Sequence, residues 1–416
     1  MPSLNPTTRH ARLALLLALF FALAVFSAQT MLAWKSPVRG ADLNAYLVGS
    51  VLLQRGEDPY SFDKDQWKQI AEEHGLRPVT GPYRYPVHLA WVLQGVRDVD
   101  PRTLWIVNAS LNVLAALLGA MLSAMALGGG WLYPLAIMLI GISGAMGETI
   151  LLGQVTGYIL LALGGSQLAL QRMQPIRFAC FVSLGTILKL LPSLLILIAV
   201  VSRRYRSASI ATITTLALFA LPILHIGIEH LMRYLGDLSS IITLHDFREN
   251  NQSLEAAFHR WDLPRSFVMT AKSMLLASFV ALCFTQWLRP STTGGQASLS
   301  AGLCLALLVP TSSFFLYQPW LIFPVLYVFR FLYEDRHHIA AMVLLAAYVL
   351  IQILFVLPQL IVRAWPSLIP GAQDPYGWLG EWPALYCVLL FVLACWIGFR
   401  CALQQGSTPL DRQHIT

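Results

Sequence analysis

The sequence predicts an all-α polytopic membrane protein of about 12 transmembrane helices, with short amphipathic helices in its first extracytoplasmic loop. Three observations carry that reading. Of 416 residues, 56% are hydrophobic and 12% charged, and the mean hydropathy is +0.62; a soluble chain carries roughly a quarter charged residues. The apolar residues form continuous runs from residue 11 to 403, not the alternation of a β-barrel strand. The basic residues are scattered over short loops, so the net charge of +7 reads as membrane topology and not as a nucleic-acid surface.

Helix-length runs lie near 11–34, 102–127, 131–150, 151–170, 177–201, 207–228, 266–288, 297–315, 317–333, 339–362 and 383–403. Each approaches the ~20 residues that span a bilayer. The first lacks a clear small-residue cleavage site and is expected to stay as a signal anchor. A further run, Tyr85 to Val96, is short for a crossing, and such runs are often re-entrant or interfacial. Counting it gives about 12 crossings, with both termini on one side. Arg203, Arg204 and Arg206, supported by Arg9 and Arg12, mark that side as cytoplasmic. Arg330, Arg336 and the His337-His338 pair fall there too. The opposite side receives 35–85, 229–265 and 363–382. Residues 1–416 read as a single membrane domain without a repeat or a long linker. Cys180, Cys283, Cys304, Cys387, Cys395 and Cys401 lie in or beside apolar runs and form no C-x-x-C pair, so neither a disulfide framework nor a zinc site is indicated.

Residues 35–85 are rich in charge, yet their pattern is helical. Leu43, Tyr46, Leu47, Val51 and Leu53 make an apolar stripe, Gly56 suits a helix stop, and Pro59 blocks continuation. A second helix follows, with Asp63 and Gln66 spaced as a capping box and Gly75 as its end. Both are expected to lie along the membrane surface.

The chemistry-bearing residues each allow two readings. Asp42 opens the first of these helices, as a plain N-cap or as a carboxylate able to take a proton from a hydroxyl at the membrane boundary. Glu57 and Asp58 read as turn residues. Lys189, midway between Arg177 and Arg203, either meets an anionic group such as a phosphate or snorkels to an interface past Pro192. In the polar stretch from His245 to Trp261, Arg248 and Arg260 are candidate phosphate clamps, or the stretch is a loop capping the next helix. Asn251 and Asn108 also begin glycosylation sequons. Gln154 and Glu148 read as helix–helix hydrogen-bonding groups, and Pro310 to Trp320 as a break in a helical hairpin near the outer face. No Walker, Rossmann, G-x-S-x-G or H-E-x-x-H pattern is present, so ATP hydrolysis and zincin chemistry lack support.

Six segments occur in a telling order: "ADLNAYLVGSVLLQRGEDPY", "YRYPVHLA", "GQVTGYILLAL", "ILKLLPSLLILIAVVSRRYR", "NQSLEAAFHR" and "PTSSFFLYQPWLIFP". Over roughly residues 10–335 the chain resembles glycosyltransferase family 87 of the GT-C superfamily. The resemblance implies a GT-C-like helical bundle and a polyprenyl-phosphate sugar as donor. It also implies a mannose- or arabinose-like sugar passed to a lipid-linked or cell-envelope acceptor outside the cytoplasmic membrane, as in a bacterial inner membrane. Asp42 falls on the family's acidic residue, Tyr60 on its Pro-Tyr, Lys189 on its membrane lysine, and Asn251-Gln252-Ser253 on its Asn-Gln-Ser. Tyr85-Pro86-Val87 stands where the family often has Tyr-Pro-Pro, and Tyr317 and Gln318 align where it often carries His or Asp.

The implied mechanism has the acceptor hydroxyl attack the anomeric carbon opposite the phosphate. One carboxylate, Asp42, takes the proton, so the outcome is inversion. Lys189, Arg248 and Arg260 stabilise the leaving phosphate. No cofactor beyond the lipid-linked co-substrate is called for, no carboxylate cluster demands a metal, and the partners are membrane lipids, donor and acceptor. A transporter or flippase of a lipid-linked sugar is the alternative that Lys189 and the broken helices also fit; a non-catalytic envelope scaffold is the third.

Overall fold

The computed structural model describes residues 9–60, 64–76, 79, 83, 85–96, 98–243, 251–310, 313, 315–364 and 382–407. Among these the regular structure is helical, with no strand. In chain order the helices are α1 (Arg9–Trp34), α2 (Ala41–Gln54), α3 (Lys64–Glu73), α4 (Val87–Leu93), α5 (Pro101–Ala126), α6 (Leu132–Gly141), α7 (Gly144–Leu152), α8 (Thr156–Gln171) and α9 (Pro175–Leu188). They continue with α10 (Leu194–Val201), α11 (Tyr205–Ile226), α12 (Ile228–Thr243), α13 (Leu254–Arg260), α14 (Arg265–Leu288), α15 (Thr292–Leu308), α16 (Ile322–Glu334), α17 (His338–Ala364) and α18 (Trp382–Ser407).

Five of the described helices are long and apolar enough to cross a membrane: α1, α5, α11, α14 and α18. The pair α6 and α7, bent by 54° at their junction, is apolar enough to make a sixth where the two are taken as one span. The run 339–362 corresponds to the long helix α17, and the other expected crossings to helices that are shorter or interrupted. Outward-facing side chains such as Phe20, Ile213, Leu224 and Met274 are apolar and exposed, as a lipid-facing surface requires.

Helices approach most closely where side chains are smallest. A Cβ on Gly157 of α8 would lie 2.2 Å from the Asn112 carbonyl oxygen of α5, and one on Gly164 would lie 2.4 Å from the Gly119 oxygen. Without a hydrophobic drive between helices in lipid, this backbone contact is what joins them. Gly157→Ala is therefore expected to destabilise the protein by about 1–3 kcal/mol. A detergent melting curve reads it, and an unchanged midpoint would contradict the tight α5–α8 contact.

Two ends of the bundle can be named by their residues. Gly40, Gly153 and Gln154 meet at one end, where the Gly40 N–H donates to the Leu151 oxygen at 2.7 Å. At the other, α8 finishes beside Arg172, Arg203 donates to the Trp287 oxygen at 2.9 Å, and Arg400 pairs with Asp335. We call these the aspartate end and the arginine end.

The run 177–201, expected as one crossing, is instead a hairpin. Its α9 starts at the arginine end and α10 returns there, with Lys189 and Pro192 at the tip. Proline lacks an N–H and clashes with a preceding helical turn. Lys189 accordingly takes extended backbone angles, φ −160° and ψ 139°. A second correction concerns α2, which was expected on the membrane surface. Every residue from Leu43 to Leu53 is buried. Asn44, Ala45, Gly49 and Ser50 make its second face small enough to be covered, and a Cβ on Gly49 would come within 2.9 Å of the Tyr83 ring. Gly56 and Gly75 do end α2 and α3, both at positive φ. Asp63 of the expected capping box, and nearly all of 363–382, lie outside the described residues.

Candidate active site

Asp42 occupies the first turn of α2 but does not cap it. The cap position belongs to Gly40, at φ 70°, and no side-chain cap is made there. A carboxylate in the first turn is still favoured by the helix dipole. One oxygen of Asp42 accepts a hydrogen bond from the Gln154 amide nitrogen in the turn between α7 and α8. That turn is pinned from three sides. Gly40 N–H donates to Leu151 O, the Trp105 indole donates to Ile150 O at 2.8 Å, and the Asn112 amide donates to Gln154 O at 2.7 Å.

The oxygen of the same Gln154 amide accepts from two phenols, Tyr46 at 3.0 Å and Tyr85 at 2.6 Å. Because it is neutral, the amide fixes the carboxylate without cancelling its charge. Burial first, and the nearby Asp42 charge next, push the Tyr85 phenol well above its ordinary value, so it remains a donor. Tyr46 is pushed up chiefly by burial as well. Gln154→Leu would remove an amide donor to the Asp42 carboxylate and the acceptor shared by both phenols. Each buried group so left costs about 1–3 kcal/mol. The expected result is a clear drop in melting midpoint together with loss of activity; a stable, fully active variant would contradict this network.

Lys189 reaches the same place from the hairpin tip. Its ammonium lies 3.3 Å from the centre of the Tyr317 ring, 5.2 Å from Trp320 and 5.7 Å from Tyr85. Tyr317 and Trp320 are stacked, with centroids 4.7 Å apart and planes 7° from parallel. Aromatic faces replace part of the ammonium's hydration without neutralising it. Among the described residues no carboxylate lies within salt-bridge distance of it. Both residues nonetheless reach Tyr85, Asp42 through the shared Gln154 amide and Lys189 over the ring. The site thus holds an anion and a cation that are neighbours but not a contact pair, with Tyr85 touching both sides.

The Asn-Gln-Ser stretch joins this site through the 3-10 turn Phe315–Leu321 that carries Tyr317 and Trp320. The Asn251 side-chain oxygen accepts from the N–H groups of Ser253 at 3.0 Å and Ser313 at 2.8 Å. The Gln318 amide donates to the Gln252 oxygen at 2.6 Å. With Asn251 fully buried, its glycosylation reading has no structural room. Arg260 donates to the Asn251 backbone oxygen at 3.0 Å, so this guanidinium braces the turn. Arg248 lies outside the described residues. Tyr60 sits behind the site: its hydroxyl donates to the Tyr85 oxygen at 3.0 Å, and its ring lies 5.7 Å from Tyr83 and 5.4 Å from Tyr234.

The structure therefore brings Asp42, Tyr85, Lys189, Tyr317 and, through Gln318, Asn251 and Gln252 into one neighbourhood, with Tyr60 and Arg260 as supports. Sequence reasoning missed Gln154, Tyr46, Gln318 and Trp320 as site residues. Gln154 carried a signal, a lone amide after a glycine in an apolar run, but that signal equally fits helix–helix bonding. Among the described residues, no three His, Cys, Asp or Glu side chains gather as a metal site would require.

The family model of glycosyltransferase family 87 matches residues 83–311. The chain belongs to this family. No curated protein matches it. The family 87 match is narrower than the resemblance over 10–335 first suggested. It includes Tyr85, Gln154, Lys189, Asn251, Gln252 and Arg260, and it excludes Asp42, Tyr46, Tyr60 and Tyr317. In this family 87 glycosyltransferase, contacts from Gln154 and Lys189 draw the residues outside the matched span onto those inside it.

Proposed function

We propose that the protein is an inverting transferase. It moves a mannose- or arabinose-like sugar from a polyprenyl-phosphate donor to a hydroxyl of a lipid-linked or cell-envelope acceptor. Supporting this is the meeting of the Asp42 carboxylate with the Lys189 ammonium at one end of the bundle. The acceptor hydroxyl attacks the anomeric carbon, and its proton passes to Asp42. The bond between that carbon and the phosphate oxygen breaks, and the electron pair leaves on polyprenyl phosphate. Lys189 sits where that negative charge grows, held by ring faces and so open to an anion. Asn251, Gln252 and Arg260 position the stretch of chain behind the phosphate; Tyr85 and Tyr317 wall the sugar, and Tyr60 backs Tyr85. Arg248 keeps the role its sequence suggests, a second phosphate clamp.

The same reading places the chain in a bacterial inner membrane as a GT-C-like helical bundle, the expected count of about 12 passes being lowered because α9 and α10 are the two limbs of a hairpin. Arg172, Arg177, Arg203, Arg204, Arg206, Arg330 and Arg336 then face the cytoplasm, and the aspartate end faces outward. The test uses sealed proteoliposomes supplied with a panel of polyprenyl-phosphate sugars and membrane lipid as acceptor. Wild-type protein is expected to consume one donor and form a glycolipid. Donor that crosses the bilayer unconsumed would replace this reading with a flippase.

A further inference from the structure

At the arginine end, a cavity of about 230 Å³ opens between α8, α10 and the start of α15. The Gln154 turn is a helix length away along α8, roughly 20–25 Å, so the cavity is separate from the Asp42 site. Its lining includes Gln167, Gln171, Arg204, Gln286, Ser291 and Thr292, and no carboxylate.

Each wall offers donors. In the first turn of α15, Thr292 and Gly295 line it. Ser291 caps Gly294 N–H at 3.0 Å, and the Gly295 N–H donates to Ser291 O at 2.9 Å. The N–H groups of Thr292 and Thr293 precede any intrahelical acceptor, and they stand at the positive end of the helix dipole. Gln286 locks the turn by donating to Ser291 O at 2.7 Å. A Cβ on Gly294 would fall 2.0 Å from the Gln286 amide oxygen, so glycine is what lets this clamp close over the helix start.

The opposite wall carries a second, independent sign. Gln167 is 4% exposed, and its amide nitrogen has no hydrogen-bond partner among the described residues. Gln171, one turn further along α8, has the same unmatched nitrogen. Buried polar atoms normally have partners, and two orphans of one kind in one cavity call for a shared acceptor. Arg204, exposed at the rim, makes no ion pair among the described residues and adds a guanidinium suited to paired oxygens.

We propose that this cavity binds a phosphate group, as the headgroup of an anionic membrane lipid or as soluble phosphate, between Arg204, the α15 N-terminus and the amides of Gln167 and Gln171. The test is native mass spectrometry of the full chain titrated with phosphatidylglycerol, with inorganic phosphate as competitor. The variants are Arg204→Gln and Gln167→Leu. The second is decisive because it changes no charge and so leaves general attraction of the arginine end for anionic lipid intact. Since the Gln167 amide nitrogen has no partner to lose, the leucine variant is expected to melt close to wild type; should it misfold, Gln167→Glu, which sets a carboxylate against the phosphate, replaces it. One lipid retained by wild type, with affinity lowered about tenfold or more in both variants, supports the site. Displacement by millimolar phosphate then assigns it to the soluble ion, and persistence assigns it to the headgroup. Equal binding by all three proteins, or no retained lipid or phosphate on wild type, would leave a merely hydrated cavity and overturn the proposal.

Discussion

Replacing Asp42 with asparagine is expected to lower kcat roughly 10²–10⁴-fold, the range a general base contributes, while the melting midpoint stays close to wild type. The reasons lie in its surroundings. An asparagine oxygen can still accept from Gln154, so the network with Tyr46 and Tyr85 survives. What is lost is the ability to take a proton. Donor binding should change little, because the phosphate is met by Lys189 and not by Asp42. A variant that loses stability as well as rate would point instead to a structural role for the carboxylate. Wild-type turnover would remove Asp42 from the mechanism.

Lys189→Met should act on the other half of the reaction. Removing one group that stabilises charge in the transition state typically lowers rate by about 10²–10³-fold, and here the donor KM should rise too, since the same cation meets the bound phosphate. Stability should hold or increase. The ammonium is kept by ring faces without a carboxylate in salt-bridge range, and methionine fills a similar volume with less desolvation penalty. Lys189→Arg retains charge, but a planar guanidinium needs a different seat above the stacked Tyr317 and Trp320, so partial recovery is expected. Rate and KM unchanged in the methionine variant would remove Lys189 from the site.

Apolar runs and arginine clusters made the helical membrane character legible, because burial in lipid constrains composition over twenty residues at a time. Pairings across the chain were not legible. Nothing local in "LLGQVTGY" distinguishes a glutamine that bonds a neighbouring helix from one that orients a carboxylate 112 residues earlier. The hairpin at Lys189 was half visible. Pro192 marked the break, but composition is the same whether the chain continues across or turns back. Asp42 looked like a cap because aspartate favours that position, yet Gly40 takes it at positive φ and leaves the carboxylate for Gln154. The α2 helix misled for a related reason: small residues such as Gly49 and Ser50 read as a polar face, yet Tyr83 covers Gly49 and Ser50 is fully buried.

The central claim is that Asp42 and Lys189 serve one chemical step. It is tested most directly by single-turnover transfer rates in nanodiscs for wild type, Asp42→Asn, Lys189→Met and the double variant. Residues that act as a unit are strongly non-additive. The account predicts a double variant little slower than the worse single one. Losses that multiply in full would mean that the two residues act independently, and would contradict it.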